Sequence, residues 1–235
     1  MDIFQWGDIQ VMQNSDVLKV GTDAILLGSW IQPSILSPLR ILDVGCGTGV
    51  LSLMMAQTFP NAIIEAIDIQ PAAAGLASEN FKKSNWNQRL TAKISDVMMM
   101  EKSTPSYDLI IINPPYYLMD NIPSQSISNR IAKHSVYTYA DWMKALDKQL
   151  SSTGEIAMII PYENAFAWIK AANAFGTFVR NRLDVFSFSD DDNPKRTLLK
   201  FGKKLLSPEQ YSLVMYDRRD EHTSVYRQFL SLKKK

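Results

Sequence analysis

The sequence predicts an α/β protein whose mostly parallel sheet is covered by helices on both faces. Three observations carry that expectation. Apolar runs such as RILDV (40–44), AIIEAID (62–68), YDLIIIN (107–113) and EIAMIIP (155–161) are continuous rather than alternating. Strands of that kind are buried on both faces. Helical stretches separate them: TGVLSLMMAQTF, PAAAGLASENFKKSN and ENAFAWIKAANAF. Lastly, a glycine-rich turn joins the first of these strands to the first of these helices.

Taken in order, IFQWGDIQVMQ alternates around Trp6-Gly7-Asp8 and reads as a hairpin. Pro71 is placed as a first-turn residue and Gly176 as a C-terminal stop. AKIS (92–95) is a further strand, and Thr138 with Asp141 marks a capped helix running to about Leu150. RLDVFSF (182–188) and RTLLKFG (196–202) suit an antiparallel pair at the sheet edge. LVMYD (213–217) is a short strand and TSVYRQFLSL a terminal helix. The expectation is one domain: an N-terminal extension over 1–39, a core over 40–202, and a C-terminal strand and helix over 203–235.

Composition narrows the class. The chain of 235 residues is 46% hydrophobic and 21% charged, which argues against intrinsic disorder. No apolar run reaches the ~18 residues of a spanning helix, and MDIFQWGDIQ lacks a signal-peptide pattern. A cytoplasmic protein without a membrane partner is expected. One cysteine, Cys46, excludes an internal disulfide framework and a thiolate zinc cluster; two histidines, His134 and His222, make a His-rich metal site a poor expectation. The net charge of +1 conceals an asymmetry. Residues 1–179 carry 12 basic and 16 acidic side chains, residues 180–235 carry 13 and 8. The basic excess lies in Lys195, Arg196, Lys200, Lys203 and Lys204, in Arg218 and Arg219, and in Lys233, Lys234 and Lys235. Such a cluster reads as a solvated face or as a footprint for a polyanion.

LDVGCGTGVLSL places Gly45, Gly47 and Gly49 between strand and helix, where a cofactor can approach the backbone. The spacing G-x-G-x-G differs from the G-x-G-x-x-G of many dinucleotide sites. Asp68 ends the next strand, where a carboxylate can accept from both ribose hydroxyls. Asp43 can brace the turn or meet a cofactor ammonium, and Asp96 can accept from an adenine amine. Cys46, inside the turn, reads as a small filler rather than a nucleophile.

In YDLIIINPPYYLMD a buried strand ends at Asn113, and Pro114 and Pro115 hold the following backbone extended. That rigidity can aim two acceptors, the Asn113 side-chain oxygen and the Pro114 carbonyl, at one exocyclic NH2. Tyr116 offers a face on which a heteroaromatic ring stacks. An adenine amine is a poor nucleophile because its lone pair is conjugated into the ring. Binding both hydrogens out of plane localises that pair and aims it at an electrophile such as the methyl of S-adenosylmethionine. The catalysis is then chiefly orientation.

DVGCGTG, Asp68, Asp96 and NPPYY together resemble the motifs of class I S-adenosylmethionine-dependent methyltransferases that modify amino groups. LKVGTDAILLGSW (18–30), the second Tyr of NPPYY and the ending around Tyr226 resemble one subgroup, the tRNA1(Val) (adenine(37)-N(6))-methyltransferase family. The resemblance implies a Rossmann-like sheet of seven strands, one of them antiparallel. It implies S-adenosyl-L-methionine as cofactor and methylation of adenine-37 in a tRNA anticodon loop. By the same resemblance Asn113, Pro114 and Tyr116 hold the target base, flanked by Pro115 and Tyr117, while Thr22 and Asp23 lie near the cofactor. Asp68 stands where the family often has Glu. Residues 118–134 match loosely and suit a lid, with Arg130 and Lys133 as phosphate contacts and His134 as a helix-entry residue in preference to a third such contact. A single-stranded base costs less to extrude than a paired one, so Lys203, Lys204 and their basic neighbours are the candidate tRNA contacts. A monomer is the default. The rivals are a protein glutamine N(5)-methyltransferase, a ribosomal RNA amine methyltransferase, a non-catalytic cofactor- or RNA-binding module and, furthest from the motifs, an NAD oxidoreductase. Against the first stands the short stretch before the first core strand.

Overall fold

A computed structural model describes residues 2–32, 40–115, 137–218 and 221–231. The chain opens with a hairpin of β1 (Asp2–Trp6) and β2 (Ile9–Gln13), in which Trp6 faces Ile9 across a two-residue turn and Gly7 takes φ 55°. After α1 (Thr22–Trp30) come β3 (Arg40–Val44), α2 (Val50–Thr58), β4 (Ile63–Asp68), α3 (Pro71–Lys83), β5 (Leu90–Ile94) and β6 (Tyr107–Ile112). The second half runs α4 (Tyr139–Gln149), β7 (Leu150–Pro161), α5 (Ala165–Ala174), β8 (Phe178–Phe188), β9 (Arg196–Gly202), β10 (Glu209–Arg218), β11 (Glu221–His222) and α6 (Ser224–Ser231). The start of α4 is closed by a capping box, in which Thr138 Oγ1 accepts from the Asp141 amide and the Asp141 carboxylate accepts from the Thr138 amide.

Among the described residues the main sheet has nine strands in the order β11-β10-β8-β9-β7-β6-β3-β4-β5. The seven strands implied by the resemblance are the run from β8 to β5, with β9 antiparallel to both its neighbours. Two further strands correct that number. β10 pairs parallel along β8, and β11 folds back on β10. The expected edge pair, β8 and β9, therefore lies inside the sheet. Leu183 and Val185 of β8 are buried, and β10 satisfies a row of backbone groups that an eleven-residue edge strand would leave unpaired.

Continuous apolar strands are explained by the two cores they feed. Ile41, Ile64, Leu109, Ile111 and Ile159 pack on one face with the hairpin, α1, α2 and α6. Leu42, Val44, Ile110, Ile112, Ile156 and Met158 pack on the other with α4 and α5. Successive side chains point to opposite faces, so a strand buried twice needs no polar position. Arg89 fastens the end of α2 by donating to the carbonyls of Ala56, Phe59 and Ala62 at 2.6–3.1 Å. Among the described residues no helix is long and apolar enough to cross a membrane.

Candidate active site

The parallel strands β3, β4, β5 and β6 end along one edge of the sheet, and the turns that follow them build the site. The glycine turn after β3 is anchored to β4, since the amides of Gly45 and Cys46 donate to the Ile67 carbonyl at 2.8 and 3.0 Å. Gly45, Gly47 and Gly49 have φ of 71°, 54° and 81°, which L side chains rarely adopt. A Cβ placed on Gly45 or Gly47 meets nothing within 4 Å, whereas one on Gly49 falls 2.5 Å from the Phe81 ring. The first two glycines thus border open space and the third permits α3 to pack on the turn.

Asp68, 9% exposed at the end of β4, accepts from the Gly47 amide through Oδ2 at 3.0 Å and from the Gln70 amide through Oδ1 at 2.9 Å. A carboxylate has about four acceptor positions, so it can bind ribose hydroxyls without releasing either amide. Asp96 caps its own turn, accepting from the Met98 amide at 2.9 Å. Asp43 is fully buried at the foot of the turn. Its Oδ2 accepts from both the amide and the hydroxyl of Ser52, at 3.1 and 2.6 Å, while Oδ1 has no partner among the described residues. Asp43 therefore braces the first turn of α2 and not the glycine amides themselves. Burial, opposed by the two Ser52 hydrogen bonds, raises its pKa to about 7. An unpaired carboxylate oxygen beside an open glycine cradle fits a cofactor carrying positive charge. Cys46 is buried and its thiol is pushed up by burial, as suits a filler position.

β6 lies beside β3, with Ile112 opposite Val44, so Asn113 leaves the sheet next to the glycine turn. Its side-chain oxygen is buried and without a hydrogen-bond partner among the described residues. Pro114 is buried and Pro115 half-buried. Tyr116, Tyr117, Arg130, Lys133 and His134 lie outside the described residues, as do Arg219 and Lys233–235.

Three contributors carry no local signal in the sequence. Asn80 of α3 donates to the carbonyls of Thr48 and Met12 and accepts from the Met12 amide, joining the hairpin to the glycine turn. Ser52 holds Asp43. Arg196, which faces Pro161 at the site edge, grips Asp23 through Nε at 3.0 and 3.2 Å and so fixes the start of α1, where Thr22 is exposed. The structure does not bring Lys203 and Lys204 to this edge. β9 runs antiparallel, so Arg196 starts at the site and Lys203 lies ~20 Å away at the other end. Lys203 is moreover ion-paired with Asp147, which also accepts from the Thr177 hydroxyl.

The architecture and the glycine turn define a Rossmann-like methyltransferase fold, and comparison with known proteins agrees. A family model described as methyltransferase small domain matches residues 18–163. In fold, the chain resembles a predicted O-methyltransferase from Agrobacterium tumefaciens with a TM-score of 0.68 at 18% identity, covering 90% of this chain and 97% of that one. A ribosomal protein L11 methylase from Lactobacillus delbrueckii subsp. bulgaricus matches at 0.52 and 18%, with coverage of 83% and 82%. Sequence relatives are closer. A tRNA1(Val) (adenine(37)-N6)-methyltransferase of Haemophilus influenzae is 32% identical over 228 residues, 96% of this chain and 95% of the relative. One of Flavobacterium psychrophilum is 32% identical over 226 residues, 95% of each, and one of Bacteroides thetaiotaomicron is 34% identical over 200, covering 84% and 82%. The chain belongs to the tRNA1(Val) (adenine(37)-N6)-methyltransferase family.

Proposed function

We propose that the protein transfers a methyl group from S-adenosyl-L-methionine to N(6) of adenine-37 in the anticodon loop of tRNA1(Val). The observation that carries this reading is the buried side-chain oxygen of Asn113, which has no hydrogen-bond partner among the described residues and lies beside the glycine turn. A buried acceptor left without a donor is expensive, so its donor is expected from the substrate. Asn113 Oδ1 and the Pro114 carbonyl would accept the two amine hydrogens, holding the N(6) lone pair out of the ring plane. Tyr116 would stack on the base, with Pro115 and Tyr117 beside it. Gly45 and Gly47 would let the cofactor lie against the backbone, Asp68 would hold its ribose, Asp96 its adenine amine, and Asp43 would face its positive charge with Thr22 nearby. The cofactor supplies an electrophilic methyl carbon on a sulfonium. Held in this way, the amine nitrogen would form the new bond to carbon as the carbon–sulfur bond breaks, the thioether would leave as S-adenosylhomocysteine, and the surplus proton on nitrogen would pass to water. The rate comes from alignment of these groups.

The test offers labelled S-adenosylmethionine with total tRNA, ribosomal RNA and release factors, followed by digestion of whatever accepts label. Label recovered as N(6)-methyladenosine from a valine tRNA is expected. Label only on protein would overturn the reading in favour of glutamine methylation.

A further inference from the structure

The RNA must be held beyond the target base, and the cations expected to do so at Lys203 and Lys204 lie at the end of β9 far from Asn113. A different surface stands at the right edge. β7 is the neighbour of β6 and ends at Pro161, two residues past the level of Asn113. A short turn over Tyr162–Asn164 leads directly into α5. In the first turn of that helix Phe166 is 78% exposed, although Ala165, Trp168, Ala171 and Ala172 around it are buried in the core. Lys170 follows one helical turn later and is also exposed, with no ion pair among the described residues. Positions i and i+4 share one face of a helix, so ring and ammonium stand side by side on the outer surface of α5.

Nothing in the core requires a phenyl ring at 166, and an aromatic ring held in water beside an active site is a platform for a flat partner. We propose that Phe166 stacks on a nucleobase flanking the target adenine, and that Lys170 contacts the phosphate of the same stretch of strand. Glu163, exposed on the preceding turn, disfavours a phosphate at the helix start. The base therefore meets Phe166 and the backbone passes Lys170. Stacking accepts any base, so this contact holds and orients the loop without reading its sequence. The inference rests on the RNA reading above and extends it to a specific flanking contact.

The experiment measures tRNA affinity, methyl-transfer kinetics and S-adenosylmethionine affinity for wild type, Phe166→Ala, Phe166→Leu, Phe166→Trp and Lys170→Gln. Phe166→Ala and Phe166→Leu should weaken tRNA binding about 5- to 100-fold, while Phe166→Trp stays within about twofold of wild type. Lys170→Gln should lower the slope of log affinity against log salt by about 1. Cofactor affinity and thermal midpoint should not move in any of them. Phe166→Leu binding tRNA as well as wild type overturns the stacking role, because leucine keeps the apolar surface and loses only the ring. An unchanged salt slope overturns the phosphate contact. A change in oligomeric state with tRNA affinity intact would mean that the surface serves a protein partner, and overturns the proposal. Wild-type enzyme that fails to methylate any tRNA overturns the parent reading instead, so the two failures are distinguishable.

Discussion

Asn113 carries a buried side-chain oxygen with no partner among the described residues, an arrangement that costs a folded protein about 1–3 kcal/mol. Asn113→Ala should therefore abolish methyl transfer without lowering the thermal midpoint, and cofactor affinity measured by calorimetry should stay near wild type. An equal loss of cofactor affinity would remove Asn113 from its assigned role. Asp43 makes a prediction in pH. Its folded-state pKa, raised to about 7, lies above the usual carboxylate value, so the native state retains a proton that the unfolded chain gives up. The stability from that proton is present below about pH 4 and is lost as pH rises through about 7. Asp43→Asn mimics the protonated form, so its melting temperature relative to wild type should rise from pH 5 to pH 8. An offset that is flat with pH would refute the assignment. Asn113 was legible in the sequence because two prolines follow it. The Ser52 contact that sets the state of Asp43 was not, because a serine in a helix announces no partner nine residues back.

The turn between β3 and α2 shows how similar residues do different work within one element. Gly45 borders open space, whereas Gly49 lies under the ring of Phe81. Gly45→Ala should cost about 1–2 kcal/mol of backbone strain and weaken cofactor binding by occupying the cradle. Gly49→Ala adds a clash inside a packed interface, so its loss of stability should be larger, about 2–4 kcal/mol, in urea unfolding. Equal destabilisation by both would contradict the division. The strand–turn–helix unit itself was plain from an apolar run followed by alternating glycines. Which glycine serves packing was hidden, because Phe81 and Ala77 approach from α3, some thirty residues further on. The sheet edge is hidden for a similar reason: only tertiary pairing reveals that residues 209–218 continue the sheet beyond β8.

Across the whole molecule, charge and the candidate site fall apart: Lys203 and Lys204 lie at the end of β9 far from Asn113. The excess of basic residues after position 180 is real, but antiparallel β9 distributes it between opposite edges of the sheet. Lys204→Gln should leave tRNA affinity and its salt slope unchanged. Lys203→Gln should do the same while lowering stability by about 1 kcal/mol through loss of its ion pair with Asp147. A steep loss of tRNA binding in either would restore the far edge to the interface. The overall pattern of strands and helices was readable because burial on both faces leaves a strong mark on composition. The inserted position of β9 leaves no such mark, since pairing partners are not written in local residue choice.

That inserted position has a consequence during synthesis. β8 leaves the ribosome before β9 but has no direct pairing with β7, so it must wait for the later strand to slide between them. Until residue 202 has emerged, the outer edge of β7 is bare and Arg196 has not yet reached Asp23, 173 positions earlier. A nascent chain halted at residue 195 would thus hold an almost complete glycine turn inside a half-built sheet with a sticky margin. Competence for the cofactor and vulnerability to aggregation coincide in that interval, and roughly the last sixth of the chain decides which prevails.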